Sequence, residues 1–106
     1  MSLRMPQNLD PQHGLDHALD AFHHEVLAEK AAALGRAGKV LEKQLLLLKA
    51  CVDVAAEDAL LSTAADAAHH YFIQRELCGL YAHQSVIDDY AIPRTVLARV
   101  GAKKAS

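Results

Sequence analysis

The chain has 106 residues, of which 52% are apolar but only 5% aromatic, with no Trp and a formal net charge of -2. That is room for one domain, and a core so poor in rings must be built from Leu, Val, Ile and Ala. Two cysteines, Cys51 and Cys78, are too few for a disulfide framework or a cysteine zinc site; small buried hydrophobes are the expectation for both. No apolar run reaches membrane-spanning length and no charged-then-apolar leader precedes residue 15, so a soluble, cytoplasmic protein is expected.

The charge is unevenly spread. Residues 1–93 hold seven basic and thirteen acidic groups, a balance of -6, whereas residues 94–106 hold Arg94, Arg99, Lys103 and Lys104 and no acid. The expected organisation is a flexible N-terminus over 1–10, one helical domain over 11–101 and a flexible basic tail over 102–106.

The first helix has a clear start, with Asp10 as N-cap and Pro11 at the first helical position. Leu15, Leu19, Phe22 and Val26 follow at spacings of four, three and four, an apolar stripe that predicts a buried face. His13, His17, Asp20 and His24 lie opposite and read as a solvated face.

Gly35-Arg36-Ala37-Gly38 is the ambiguous stretch. Two glycines suit a helix end and an αα-hairpin, yet Leu27, Ala31, Leu34, Gly38, Leu41, Leu45, Leu48 and Val52 keep heptad-like spacing through them. Two interior glycines cost about 2 kcal/mol relative to alanine, roughly what burial of one leucine recovers. The balance favours an uninterrupted helix, the glycines admitting a neighbouring backbone. Such a helix, from Pro11 to about Ala50, would be ~60 Å long and would overhang a compact domain. The expected remedy is a homodimer through the seam Leu27, Leu34, Gly38, Leu41, Leu45 and Leu48. A turn at Gly35 would instead give a compact four-helix monomer.

The next connection is expected within Asp53 to Asp58, and a second helix from about Ala59 to Leu80. Its buried face would hold Leu61, Ala65, Ala68, Phe72, Ile73 and Leu80, with His69 and Glu76 on the same line. A short helix over Gln84 to Tyr90 and another from Pro93, stopped by Gly101, complete an all-α fold of long antiparallel helices in a bundle.

One chemical lead stands out: Asp20-Ala21-Phe22-His23-His24 returns as Asp66-Ala67-Ala68-His69-His70. Asp-x-x-His is one helical turn, so each copy stacks a carboxylate beside an imidazole. His23 and His69 fall at the edge of or within apolar stripes and are expected to be partly buried, hydrogen-bonded to Asp20, Asp66 or Glu76. A second reading is a divalent-metal or proton site on Asp20, His23, Asp66, His69 and Glu76, such as one zinc held by both histidines and a carboxylate. It resembles the ferritin-like Glu-x-x-His arrangement only in outline: Asp is one methylene shorter, and the lone acids (Glu25, Glu42 or Glu76) lack that family's surroundings. No cofactor is otherwise expected. Arg75 near Cys78 is the sole hint of thiol activation, and no nucleophile arrangement, phosphate loop or dinucleotide fingerprint points to an enzyme.

Two further classes complete the picture. Ser85 to Tyr90, the tight Ala91-Ile92-Pro93 and Arg94 to Arg99 look like a miniature helix-turn-helix with Arg94, Arg99, Lys103 and Lys104 as nucleic-acid contacts. Against it, Asp88 and Asp89 would face phosphates, and such pairs more often cap a bundle. The reading ranked first is a structural or protein–protein interaction module. Finally, Gln74-Arg75-Glu76-x-Cys78-Gly79-Leu80 through Tyr90-x-Ile92-Pro93-x-x-Val96-Leu97-Ala98-Arg99-x-Gly101, with Leu34 to Gly38, resembles a group of small, uncharacterised, all-helical bacterial proteins. That resemblance covers most of the chain after the first helix and brings no activity, cofactor or functional residue.

Overall fold

A computed structural model describes residues 11–102. They form four helices: α1 (Pro11–Lys49), α2 (Val54–Leu77), α3 (Gln84–Asp89) and α4 (Arg94–Leu97), with no strand among the described residues. The helix does continue through both glycines. The expected flexible termini, with Lys103 and Lys104, lie outside the described residues except for Ala102.

The reversal falls at Ala50–Asp53. The Asp53 side chain accepts from the Ala55 N–H at 3.0 Å and caps α2. α2 therefore begins five residues before the expected start at Ala59, because Asp53 is itself the cap rather than part of a longer loop. Its far end is a Schellman motif. Gly79, at φ +84°, lets the Leu80 N–H reach the Arg75 carbonyl and the Gly79 N–H the Glu76 carbonyl, both at 2.9 Å. α3 ends similarly, the Ile92 N–H bonding the Ile87 carbonyl at 3.0 Å, but with Ala91 at φ +51° in place of glycine. That sharp stop turns the chain so that Pro93 leads into α4.

The core is small and alanine-rich. α1 contributes Ala37 and Leu41, α2 contributes Ala64, Ala65, Ala67, Ala68, Tyr71 and Phe72, and the C-terminal segment contributes Val86, Ile92 and Val96. Leu34, Leu45 and Leu48 of α1 pack on its edge. Alanines on α2 let the two long helices lie close, and the α3–α4 segment covers one side of the pair as a lid. The seam residues Leu34, Gly38, Leu41, Leu45 and Leu48 are thus engaged inside the chain, against its own α2 and lid.

Gly38 also has a different neighbour from the expected backbone. A Cβ built there would lie 2.8 Å from Tyr90 Oη and 3.2 Å from Tyr71 Cε1, whereas nothing approaches Gly35 within 4 Å. The two tyrosine rings meet edge-on at 5.5 Å between centroids. Gly38 is therefore a seat for phenol rings, and Gly35 is a solvent-facing helix residue.

The hairpin is lopsided. Cys78 Sγ contacts the Lys30 carbonyl at 3.8 Å and Tyr71 sits beside Gly38, which sets the register of the pair. α1 residues before Lys30 consequently have no α2 beside them. No described residue before Leu34 belongs to the core or packs on it. Pro11 to Glu29 form an overhang of ~28 Å at 1.5 Å per residue. The radius of gyration, 21.9 Å, compares with about 13 Å for a compact chain of this length.

Candidate functional site

The overhang carries the stripe expected to be buried, and within the chain nothing described covers it. Leu15 is 56% exposed, Leu19 49% and Phe22 60%, while Val26 is half-buried. Burial within the chain is not available to it because α2 is fifteen residues shorter than α1. Leu27, of the expected seam, is also exposed and borders a shallow apolar groove with Leu34 and Leu77.

On a helical projection Ala33, Val40 and Leu47 prolong the same line, at seven-residue intervals from Val26. Val40 and Leu47 are exposed as well. α1 therefore has two apolar lines about a quarter-turn apart: one seats α2, and the other is uncovered by any described residue. The heptad reading of the sequence followed only the first.

The histidine repeats are not brought together. His23 lies on the overhang and His69 lies level with about residue 40 of α1, so some 25 Å of helix axis separates them. Both are exposed, as are Asp20 and Asp66, which corrects the expectation of partly buried imidazoles. His69 fell outside the core because α2 turns Ala68, Tyr71 and Phe72 inward and leaves His69 and His70 on its outer side. Among the described residues the His23 ring makes an edge-on contact with Phe22, at 6.5 Å between centroids. Among the described residues, no three His, Cys, Asp or Glu side chains converge as a metal site.

Glu76, the fifth member of that set, has another partner. Arg75 Nε–H donates to His83 Nδ1 at 3.2 Å, and His83 Nε2–H then donates to Glu76 Oε2 at 3.0 Å. A guanidinium can only donate, so Nδ1 accepts and the proton resides on Nε2. The imidazole stacks on Phe72 at 4.6 Å, and Arg75 also donates to the Ala82 carbonyl at 2.8 Å. This network ties the end of α2 to the start of α3. Sequence reading missed it because the partners are joined only through the Gly79 turn.

The lid is latched from the other end. Arg99 donates to the Asp58 carbonyl and to Ser62 Oγ, each at 3.0 Å, and pairs with the Asp58 carboxylate at 2.8 Å. Val96 is fully buried. Arg99, one of the expected nucleic-acid contacts, is therefore occupied within the chain, and α4, at four residues, is too short to serve as a recognition helix. Arg94 remains exposed. Tyr90, above Gly38, has its phenol pushed above the ordinary value by burial, reinforced by the Tyr71 hydroxyl and by the charges of Glu42 and Asp89. Cys51 and Cys78 are free thiols, half-buried rather than core residues.

These features define a small all-helical protein: a long unequal hairpin, a latched lid and a helical face that no described residue covers, with no described helix long and apolar enough to cross a membrane. The whole chain, residues 1–106, matches the model of a family of unknown function, DUF6665, and the protein belongs to that family. No curated protein and no solved structure gave a significant match.

Proposed function

We propose that this is a structural or protein–protein interaction module that works as a homodimer, with the α1 overhang as its contact surface. The observation behind it is the stripe Leu15, Leu19, Phe22 and Val26, left without a described partner on a helix that extends ~28 Å past its neighbour. A single exposed leucine is ordinary on a protein surface; an aligned row of them on a projecting helix is not.

The magnitude sets the strength to expect. Full burial of such a side chain stabilises by about 1.5–3 kcal/mol, and roughly half of that remains to be gained at each. Eight side chains across two copies give about 8 kcal/mol before association costs, and subtracting a cost of at least about 4 kcal/mol leaves weak association on the millimolar scale. Light scattering should show mass rising from near 11.5 kDa towards twice that value between about 0.1 and 2 mM. Phe22→Glu should hold the mass at that of one chain. A monomer at the highest concentration refutes the proposal.

A further inference from the structure

Resting on that dimer reading, we infer that the second copy lies antiparallel on the overhang, with the two-fold axis passing between residues 20 and 21. The stripe is its own complement in this register. Leu15 faces Val26 of the second copy, and Leu19 faces Phe22 of the second copy, each pair occurring twice. In heptad terms Leu19 and Val26 take the first core position and Leu15 and Phe22 the second, which is how antiparallel helices interdigitate.

Charge decides the direction. In an antiparallel pair, residues flanking the second core position meet their own kind, so Asp16 lies beside His23 of the second copy, and His23 beside Asp16. On the opposite edge Ala18 meets Glu25, so no like charges face each other at either flank. Neither the Asp16 nor the His23 side chain has a hydrogen bond or ion pair to a described residue, and both are exposed.

Parallel, in-register pairing would set Glu25 beside Lys30 of the second copy, but it fails in the seam itself. The line through Leu15 and Phe22 continues by sevens to Glu29, Arg36 and Lys43. Two-fold symmetry would then set each of these against its own copy along the hairpin body, three like-charge contacts in the seam. Within one chain Glu29 and Arg36 already pair at 2.9 Å, and the antiparallel register leaves that pair intact. The axis also falls near the middle of the Pro11–Glu29 overhang, so the contact uses only the part of α1 that α2 leaves free.

Disulfide trapping separates the register from dimerisation itself. Leu15→Cys and Val26→Cys proteins would be oxidised in a glutathione buffer, singly and mixed, and the cross-links mapped by mass spectrometry. The antiparallel register joins position 15 to position 26 in the mixture and gives no 15-to-15 link, because those positions lie ~16 Å apart along the axis. A 15-to-15 link in a protein that light scattering shows to be dimeric overturns the register and leaves the dimer standing. A dimer without either link overturns the choice of face. A monomeric mass, as when the chain's own first ten residues or another protein occupies the stripe, overturns both readings. As an independent readout, Asp16→Lys or His23→Glu should each weaken association by about threefold to tenfold, and the double variant should recover it.

Discussion

Replacing Gly35 and Gly38 with alanine, one at a time, asks whether Tyr71 and Tyr90 seat on the long helix as described. Both sites are interior to α1, so alanine should gain about 1 kcal/mol of helix propensity at either. At Gly35 nothing lies within 4 Å of the new methyl. That gain should appear in full, raising Tm by about 4–8 °C for a domain of this size. At Gly38 the methyl would arrive 2.8 Å from Tyr90 Oη and 3.2 Å from Tyr71 Cε1. Tyr71 is 9% exposed and lies edge-on to Tyr90, so neither ring can yield without disturbing the other. Overpacking of this kind costs about 1–3 kcal/mol, which cancels or exceeds the propensity gain. Urea unfolding followed by circular dichroism, at one fixed protein concentration, should therefore place Gly38→Ala about 1–3 kcal/mol below Gly35→Ala. In a Tyr90→Phe background, which removes Oη, the penalty at Gly38 should shrink by about 1 kcal/mol. Equal stabilisation by the two alanine variants would refute the seat at Gly38.

Two further outcomes follow from the lid. Because burial raises the folded-state pKa of Tyr90, its contribution is fully present below the unfolded phenol value of about 10. It is lost as pH rises through the higher folded value, since above pH 10 the unfolded chain binds fewer protons than the folded one. Thermal unfolding between about pH 9 and 11.5 should show this decline, and Tyr90→Phe should flatten it. Arg99→Met removes the latch to Asp58 and Ser62. With the guanidinium 35% exposed and Asp58 largely so, the loss should be about 1 kcal/mol. Hydrogen exchange should show α4 and Ile92 exchanging faster, with the α1–α2 contact unchanged.

The elements themselves were legible in the chain, because they are set by local chemistry. Pro11 marks the start of α1 through φ restriction, whereas the bounds of α2, set by Asp53 capping and the left-handed Gly79, were missed by the expected span of Ala59 to Leu80. The leucine heptad across Gly35 and Gly38 correctly outweighed the two glycines, since a few tenths to one kcal/mol per residue yields to side-chain burial. What a sequence cannot show is which of two apolar lines on one helix meets a partner. Both lines on α1 have acceptable spacing. Only the shorter length of α2, its register set at Lys30 and Gly38, and the docking of Tyr90 decide that Leu41 is buried while Leu15, Leu19 and Phe22 are exposed. The same non-local geometry holds His23 and His69 apart despite their matching repeats, and joins Arg75, His83 and Glu76, which share no motif. Local propensity has a range of one or two helical turns; the relative placement of helices depends on summed contacts between residues dozens of positions apart.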